Sequence, residues 1–381
     1  MEKKIKLLLV ADTYHPKIDG TLVFMEEFMK KAKNDFEISQ LVPNFNKYQD
    51  TKRKRFMKVS RFIKLSNYSS IRISIGNLLR IRRSIKDNDL VFIQGPAMAS
   101  YLAMFMSWFY KKKSVVYLHV ITWELFEKFL PRPLNKIFYW TFRYITVMLF
   151  NMCDLVIVPY HDLQEELVKA GVRTDVNVAR LGVDIDKFTP NIDKIEAKKK
   201  LKINTKKKVI GYVGRVSKEK NVHTLVEAFQ KLPNQQNMLL LIVGGGSEDV
   251  IDELKEIKNC RVTGFVHNVA DHLQAMDIFV MPSLTETTSL ATLEAMSTGL
   301  PVIATKVGFI KNYLTKDYNG EFFPRENPEI LMLKIKKLLQ DDMLSKRLSY
   351  HARKTVAYSF SWERSINKIK RILVKVFYDE N

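Results

Sequence analysis

Two glutamates, Glu286 and Glu294, stand eight positions apart in the segment SLTETTSLATLEAMSTGLPVIAT at residues 283–305. The segment follows the apolar run DIFVMP, which predicts a buried strand, so we expect Glu286 in the next loop and Glu294 inside the following helix. Eight residues are a little over two helical turns, and with Glu286 still in the loop the two side chains need not share one helix face. Their spacing indicates two contacts on one extended ligand.

Two cations precede another predicted helix in the same half of the chain. In GRVSKEKN, Arg215 and Lys220 lie between a predicted strand and a helix that begins near Asn221. The amides and dipole of a helix N-terminus already favour an anion, so the added cations predict a phosphate site. The stretch matches neither a P-loop nor the dinucleotide fingerprint, and GGGS at 244–247 lacks the GxGxxG spacing.

Candidate ligand contacts also follow predicted strands in the first half. Gly20, in ADTYHPKIDGTL, lies near the start of a helix, where the missing side chain lets a ligand approach backbone amides; a plain turn glycine is the alternative. His119 ends SVVYLH, and a structural histidine explains it at least as well as a ligand contact. The DID at 184–186 mimics a metal motif but lies in the predicted linker, so we expect no metal there.

The length and the order of apolar segments predict two domains. At 381 residues the chain exceeds what one core usually supports, and 46% hydrophobic residues with few Gly and Pro indicate a globular protein. Predicted strands alternate with helix-length segments, which is the pattern of parallel sheets covered on both faces. The strand candidates lie near 5–11, 36–42, 89–94, 114–119 and 154–158, and then at KKVIGYVGR, NMLLLIVGGG, RVTGF, DIFVMP and PVIAT.

We therefore predict an α/β protein of two doubly wound, Rossmann-like domains. The first spans 1–185, the second spans 186–358, and a C-terminal helix at 359–381 would pack back towards the first. In such sheets ligands bind beyond the carboxyl ends of the strands, so two facing sheets would form a cleft between the domains.

The formal net charge of +21 is concentrated in one segment. Residues 52–86 contain twelve basic and no acidic residues, and KRKRFMKVSRFIKLS places apolar side chains at helical spacing. The four cations between those apolar positions are Arg55, Lys58, Arg61 and Lys64. We interpret the segment as a basic amphipathic helix on an anionic membrane surface, with an ordinary surface helix as the alternative. No nucleic-acid motif accompanies the charge, so we expect no nucleic-acid partner.

The remaining signals favour a reducing compartment. Cys153 and Cys260 lie far apart within apolar patterns and are interpreted as inert core thiols. The N-terminal MEKKIKLLLVAD has only a short apolar run and no small-residue cleavage site, so it is interpreted as a buried strand and not a signal peptide. The apolar stretch at 95–110 is shorter than the roughly 20 residues that span a bilayer. We expect a cytoplasmic protein, peripheral on the inner face of the cell membrane.

The ordered set of motifs resembles the retaining nucleotide-sugar glycosyltransferases of family 4, which have the GT-B fold. In the second half the resemblance is carried by VGRVSKEKN, LLIVGGGSE, VTGFV, the segment at 277–305 with its E-x7-E signature, and VG at 307–308. In the first half it is carried by PKIDG, His119, DLVIVPYHDLQEEL and LGVDIDKFTP. The match spans nearly the whole chain.

The resemblance implies that the first domain binds the acceptor and the second the nucleotide sugar, and it implies a role for each candidate residue. Glu294 would bind the nucleotide ribose and Glu286 the hydroxyls of the transferred sugar, while Arg215 and Lys220 would hold the diphosphate as the sugar–phosphate bond breaks. Gly20 would let its loop close over the diphosphate, and His119 would contact the sugar. Ser289 and Leu290 would bind the sugar donor at the start of the helix. No metal or other cofactor is expected, because the two cations and helix amides supply the positive charge.

One position departs from the family pattern. The usual E-x-F-G-L is ETTSL here, with Thr288 and Ser289 in place of Phe and Gly, which leaves the identity of the sugar donor open. The resemblance implies transfer of a hexose with retention, by a same-face route in which the leaving phosphate serves as base. The favoured acceptor is a lipid or lipid-linked hydroxyl. Polysaccharide or small-sugar acceptors, and a non-catalytic sugar-nucleotide-binding or membrane-binding module, are the alternatives.

Overall fold

The computed structural model describes residues 4–16, 19–65, 68–119, 134–190, 193–246 and 248–379. Within these, the side chains of 61–65, 68–69 and 134–135 are not described. The chain divides into two compact units, one formed by residues 1–180 together with 365–381 and the other by 181–364. We call them unit 1 and unit 2. The division falls five residues before the boundary expected at 185/186, and the last helix contributes residues to both units.

Unit 1 is built on one sheet with the strand order β4-β3-β2-β1-β5-β6-β7-β8. All neighbouring strands are parallel except β3 and β4, which are antiparallel. Its strands are β1 (Ile5–Ala11), β2 (Phe36–Asn44), β3 (Lys54–Leu65), β4 (Tyr68–Ile71), β5 (Leu90–Gly95), β6 (Lys113–Leu118), β7 (Leu155–Val158) and β8 (Val176–Val178). Its helices are α1 (Gly20–Ala32), α2 (Ile75–Lys86), α3 (Met98–Phe109), α4 (Leu134–Phe150) and α5 (His161–Ala170).

Unit 2 has a wholly parallel sheet with the order β11-β10-β9-β12-β13-β14. Its strands are β9 (Lys208–Val213), β10 (Met238–Val243), β11 (Cys260–Val262), β12 (Ile278–Met281), β13 (Val302–Thr305) and β14 (Glu321–Phe323). Its helices are α6 (Lys194–Lys200), α7 (Val222–Gln230), α8 (Glu248–Lys255), α9 (Val269–Ala275), α10 (Leu290–Ser297), α11 (Ile310–Tyr313), α12 (Pro328–Gln340) and α13 (Asp342–Ser359). The last helix, α14 (Trp362–Tyr378), begins in unit 2 and continues in unit 1.

The apolar runs form the central strands, as predicted. In β1 every residue but Lys6 is buried, and β9, β10 and β12 are likewise buried on both faces, which is typical of parallel strands covered by helices. Each strand expected from the sequence is present, so the prediction of two doubly wound α/β sheets is confirmed. The strands β3, β4, β8 and β14 were not predicted, because they are short or lack an apolar run.

The basic segment is a strand, so the predicted amphipathic helix at 52–66 is wrong. Residues 54–58 pair with β2, and Phe56 and Met57, which neighbour each other in sequence, are both buried. Arg55 is ion-paired with Asp87 at 2.6 Å, while Lys58 is exposed. Arg61 and Lys64 lie in the same strand, and their side chains are outside the described part of the structure. The membrane contact of these four residues stays a prediction.

The two cysteines and the helices bear on the compartment predictions. Both thiols are free, and burial raises the pKa of Cys153 to about 12 and that of Cys260 to about 11, so neither is an activated nucleophile. Among the described residues, no helix combines the length and apolar character needed to cross a bilayer.

The side chain that holds the basic strand to its neighbouring helix is Asn77 of α2. Its Oδ1 accepts from the backbone N–H of Lys58 at 2.9 Å, and its Nδ2 donates to the carbonyls of Lys58 at 2.8 Å and Arg72 at 2.7 Å. Asn77 is almost fully buried. The amide thus takes the place of a strand partner for β3.

We expect Asn77→Leu to lower the free energy of unfolding by about 2–4 kcal/mol, because the N–H of Lys58 and the carbonyl of Arg72 lose the partner that the buried Asn77 amide supplies. Urea unfolding followed by circular dichroism measures this loss. Arg83→Leu, an exposed change on the same helix, is the matched control and should shift stability by no more than about 0.5 kcal/mol. Equal effects of the two changes would contradict the role given to Asn77.

Candidate active site

The predicted site of unit 2 centres on an ion pair between two loops. Lys220 Nζ lies 2.6 Å from Glu286 Oε1, and Ser283 Oγ donates to the same oxygen at 2.8 Å. Only 8% of the Glu286 side chain and 20% of the Lys220 side chain are exposed. Because both partners are largely withdrawn from water, this charge-assisted bond is strong and geometrically defined.

The sheet explains why these two loops meet. Lys220 ends a short 3-10 turn, Lys218–Lys220, that follows β9, and Glu286 is in the loop that follows β12. The two strands are parallel neighbours, so their carboxyl ends lie at the same edge. The backbone N–H of Leu284 donates to the carbonyl of Glu219 at 2.8 Å and joins the loops directly.

Arg215 is positioned by backbone contacts with the glycine-rich segment. The Tyr212 hydroxyl donates to the carbonyl of Arg215 at 2.8 Å, and the N–H of Val216 donates to the carbonyl of Gly245 at 2.8 Å. A Cβ on Gly244, at φ 139°, would lie 1.9 Å from the carbonyl oxygen of Gly214. The three glycines at 244–246 therefore serve close backbone packing behind Arg215, which agrees with the absence of a dinucleotide fingerprint, while Ser247 lies outside the described residues.

Charged residues of both loops shift the pKa of one buried side chain, the phenol of Tyr212. Burial raises the pKa of Tyr212 well above its ordinary value, Glu286 and Glu219 raise it further, and Arg215 lowers it. Arg215 and Lys220 both lie in the loop that follows β9, so Arg215 is at the same edge of the sheet as the Lys220–Glu286 pair. The structure brings these three predicted residues together at one edge of the sheet, where an anionic group would meet two cations.

The Glu286 loop is held from its other side by the turn after β13. A Cβ on Gly308, at φ 50°, would lie 1.7 Å from the carbonyl oxygen of Glu286, so the two backbones are in direct contact. The N–H of Phe309 donates to the carbonyl of Thr287 at 2.8 Å, and the Tyr313 hydroxyl donates to that of Thr288 at 2.9 Å. The VG motif at 307–308 thus supports the loop.

The unusual Ser289 occupies a backbone conformation that favours glycine. Its φ is 58° and its ψ is 77°, directly before α10, which begins at Leu290. Its hydroxyl forms a 2.8 Å hydrogen bond with Thr292 Oγ1 in the first turn of α10. The helix start therefore keeps the geometry that a glycine would give, with the serine side chain turned to its own helix.

Glu294 lies little more than one turn into α10. The carboxylate is half-buried, and loss of hydration raises its pKa to about 7, with the charge of Lys187 acting in the opposite direction. The turn that carries Lys187 is closed by Asp184, whose Oδ1 accepts from the N–H of Asp186 at 3.1 Å and of Lys187 at 2.9 Å. Asp184 in the DID segment thus has a structural role. In the described part of the chain no cluster of three or more His, Cys, Asp or Glu side chains could hold a metal ion.

Sequence reasoning missed Arg353 of α13, which joins that turn to α10. Its Nη1 donates to the carbonyl of Phe188 at 2.9 Å and to the carbonyl of Ser297 at 2.9 Å. The guanidinium thus holds Phe188, which is the neighbour of Lys187, and also the end of the helix that carries Glu294. No local pattern marks Arg353, because its acceptors are backbone carbonyls far away in sequence.

The other predicted residues, Gly20 and His119, lie in unit 1. Gly20 is the first residue of α1, and Asp19 caps this helix by accepting from the N–H of Leu22 at 2.9 Å. His119 follows β6, and its Nε2 lies 2.9 Å from Gln94 Oε1. Burial lowers the pKa of His119 to about 3, so the imidazole is neutral near pH 7.

Two further polar residues of unit 1 were missed, although each ends an apolar run. Asp12 follows β1 and accepts from the N–H groups of Ala99 at 2.7 Å and Ser100 at 3.0 Å, at the start of α3; burial raises the pKa of its carboxyl. Gln94, in β5, contacts His119, and its Nε2 is buried without a hydrogen-bond partner in the described structure. A polar residue directly after a buried strand, as in LLLVAD or VFIQG, is the signal that could have found them.

Comparisons with known proteins agree with this architecture. A family model described as Glycosyltransferase Family 4 matches residues 32–187, and one described as Glycosyl transferases group 1 matches 193–355. An uncharacterized glycosyltransferase of Methanocaldococcus jannaschii is 25% identical over 98% of this chain and 99% of its own length. A sulfoquinovosyl transferase of Arabidopsis thaliana is 30% identical over 58% of this chain and 44% of its own length.

A solved structure shows the same fold. The chain resembles Anabaena HepE, determined in complex with UDP, with a TM-score of 0.77, 19% identity, and coverage of 97% of this chain and 100% of HepE. Together with the two parallel-sheet units, these matches define a glycosyltransferase fold. This chain belongs to the glycosyltransferases of the GT-B fold.

The raised pKa of Glu294 predicts a pH-dependent stability. The folded state holds this proton up to about pH 7, whereas an unfolded glutamate releases it near 4.5, so the contribution to stability falls as the pH rises between these values. The Glu294→Gln variant has no titrating group at this position. Its free energy of unfolding, relative to that of wild type, should therefore increase by up to about 3 kcal/mol as the pH rises from about 5 to about 8.

Urea unfolding at a series of pH values measures the difference between Glu294→Gln and wild type. Glu253→Gln, at an exposed position of α8, is the control, and its difference from wild type should stay constant with pH. If the difference for Glu294→Gln is equally constant, the carboxylate of Glu294 is not held in the environment described.

Proposed function

We propose that this chain transfers a hexose from a nucleoside diphosphate sugar to the hydroxyl of a lipid or lipid-linked acceptor, with an α-linked product. The observation that carries the proposal is the Lys220–Glu286 pair at 2.6 Å at the carboxyl edge of the unit 2 sheet, with Arg215 in the same loop as Lys220. Two cations next to a helix start suit a diphosphate, and a carboxylate in the same place suits sugar hydroxyls. The HepE structures that contain UDP or UDP-glucose support a uridine nucleotide.

Each charged group has a defined task in this proposal. Arg215 and Lys220 stabilise the negative charge that grows on the diphosphate as the bond to the sugar breaks, which is where transfer most needs electrostatic help. Glu286, oriented by Lys220 and Ser283, accepts hydrogen bonds from sugar hydroxyls. Glu294 accepts from the ribose hydroxyls, and Lys187 lies close enough to favour its ionised form.

The stereochemical course that we propose is retention by attack on the face that the phosphate leaves. The leaving phosphate then removes the proton of the acceptor hydroxyl, so no separate base is needed. The ion pair occupies Glu286 with Lys220, which favours a binding role over a nucleophilic one. The contacts that Gly20 and His119 make with the sugar donor stay predictions of the resemblance.

The acceptor is placed at a membrane on grounds of charge. The chain carries a formal net charge of +21, and unit 1 exposes large apolar side chains beside cations. We therefore place the protein peripherally on the inner face of the cell membrane, where an anionic surface and a lipid-held hydroxyl are both available.

We expect Arg215→Ala and Lys220→Ala to lower turnover by roughly 10²-fold or more, because each removes a cation that stabilises the leaving group. Radiolabelled UDP- and GDP-sugars, screened against membrane lipid extract, provide the assay and test sugar donor and acceptor together. Lys218→Ala, an exposed change in the same short turn, is the matched control and should leave turnover within about twofold. Normal turnover in the Arg215 and Lys220 variants would refute the assignment of the site.

Metal independence is a separate proposal. Since Arg215 and Lys220 already supply positive charge for the diphosphate, chelation with EDTA should leave transfer largely intact. The measurement is the initial rate before and after EDTA treatment, with Mg²⁺ or Mn²⁺ added back. A loss of activity that either ion restores would show that a divalent cation takes part.

A further inference from the structure

Three neighbouring helices of unit 1 expose large apolar side chains. α3 packs against both α2 and α4, so the three helices form one continuous layer. We call the outward side of this layer the apolar face. The side chains on it that are at least half exposed include Ile75, Trp108, Phe109, Ile137, Trp140 and Tyr144.

Among the described side chains of α4, the three most exposed large apolar ones form an ordered stripe. Ile137, Trp140 and Tyr144 are spaced by three and four residues, so they lie on one side of the helix. The contact with α3 is made elsewhere on α4, where buried Thr146 forms a 2.8 Å hydrogen bond with the Tyr101 hydroxyl. The stripe is therefore turned away from the protein interior, the reverse of an ordinary surface helix.

Cations adjoin the aromatic rings of the apolar face. Phe109 packs on Tyr110 with 5.1 Å between ring centroids, and Lys86 Nζ lies 4.8 Å from the Tyr110 ring. On α4, the guanidinium of Arg143 lies 5.0 Å from the Trp140 ring. Rings and cations are thus interleaved, as in segments that lie at the boundary between lipid headgroups and acyl chains.

The charges on these helices have a single sign. No residue of α2, α3 or α4 is acidic, and six are basic. The six basic residues are Arg80, Arg82, Arg83, Lys86, Lys136 and Arg143. A second copy of the chain placed on this face would bring like charges together, whereas an anionic surface would be attracted. Charge complementarity therefore favours anionic lipid as the occupant.

We propose that the apolar face docks on an anionic lipid bilayer, with Trp108 and Trp140 entering the headgroup region and Arg82, Lys86 and Lys136 meeting lipid phosphates. Because Arg55 on β3 is already paired with Asp87, we assign the main contact with lipid to these helices and not to the basic strand. The proposal deepens the proposed function on its acceptor side. Vesicle binding does not depend on the transfer reaction, so the docking surface and the proposed function can be refuted independently of each other.

The apolar part of the contact is tested with Trp108→Ser/Trp140→Ser in co-sedimentation with vesicles of phosphatidylcholine mixed with phosphatidylglycerol. Removing both exposed rings should weaken partitioning by about tenfold or more, because each ring buries apolar area in the headgroup region. Met343→Ser/Tyr350→Ser is the matched control, since both side chains are exposed on α13 of unit 2, and it should bind as wild type does.

The charged part is tested with Arg82→Gln/Lys86→Gln/Lys136→Gln on the same vesicles. Each lost cation should weaken binding by about fivefold, and the remaining binding should respond less to salt and to the anionic lipid fraction. Lys199→Gln/Lys346→Gln/Lys354→Gln removes three exposed cations of unit 2 and is the matched control. Wild type should bind pure phosphatidylcholine vesicles much more weakly than the mixture.

The proposal is overturned if wild type does not bind the mixed vesicles, or if the tryptophan variant binds them as wild type does. If light scattering shows a dimer that the tryptophan changes dissociate, and vesicle binding persists in that variant, the apolar face is instead an interface with a second copy of the chain. Calorimetric UDP binding should be unchanged in all four variants. Absent vesicle binding with intact UDP binding would refute only the docking surface; vesicle binding without transfer of any sugar would refute only the proposed function.

Discussion

The ion pair between Lys220 and Glu286 is the contact on which the candidate site of unit 2 depends. It joins the loops that follow two neighbouring parallel strands, β9 and β12, and it is largely shielded from water. A carboxylate in such a place is costly without its cation, so loss of either partner would leave an uncompensated charge and destabilise both loops. Arg215, in the same loop as Lys220, and the start of α10, directly after the Glu286 loop, lie at the same edge of the sheet.

Backbone contacts preserve this arrangement from both sides. Gly244 lets the loop after β10 touch the backbone behind Arg215, and Gly308 lets the turn after β13 touch the backbone of Glu286. Arg353 joins the end of α10 to the turn that carries Lys187. Since the charged side chains are borne by loops that are packed in this way, their geometry is largely set before any ligand binds, which is the condition for electrostatic stabilisation of a developing charge.

Burial sets the protonation of the candidate residues in different ways. His119 is kept neutral because its environment disfavours the imidazolium, while the carboxyl of Glu294 holds its proton to about pH 7. Both groups can thus donate as well as accept hydrogen bonds near neutral pH. Hydroxyl-rich ligands such as sugars and ribose match this capacity. In the proposed function, the charge that a diphosphate needs comes instead from Arg215 and Lys220.

The sequence by itself determined the central strands and the main candidate residues of unit 2. Buried parallel strands appear as continuous apolar runs, and ligand residues follow them directly, so Glu286, Lys220 and Arg215 could be found from local pattern alone. Asp12 and Gln94 obey the same rule and could have been found. The glycine-like position of Ser289 was marked by its departure from the family pattern, and the structure supplied the reason, a φ of 58°.

Tertiary structure alone decided the features that rest on distant partners. The segment at 54–65 has helical spacing, yet it is a strand because β2 and Asn77 satisfy its backbone groups, and such partners are invisible in a local pattern. Arg353 acts through carbonyls remote in sequence, so no motif reveals it. The exposed rings of Trp108 and Trp140 would be assigned to a core by their apolar character. Only packing shows which side of a helix is covered, because burial is a property of the folded chain and not of the residue.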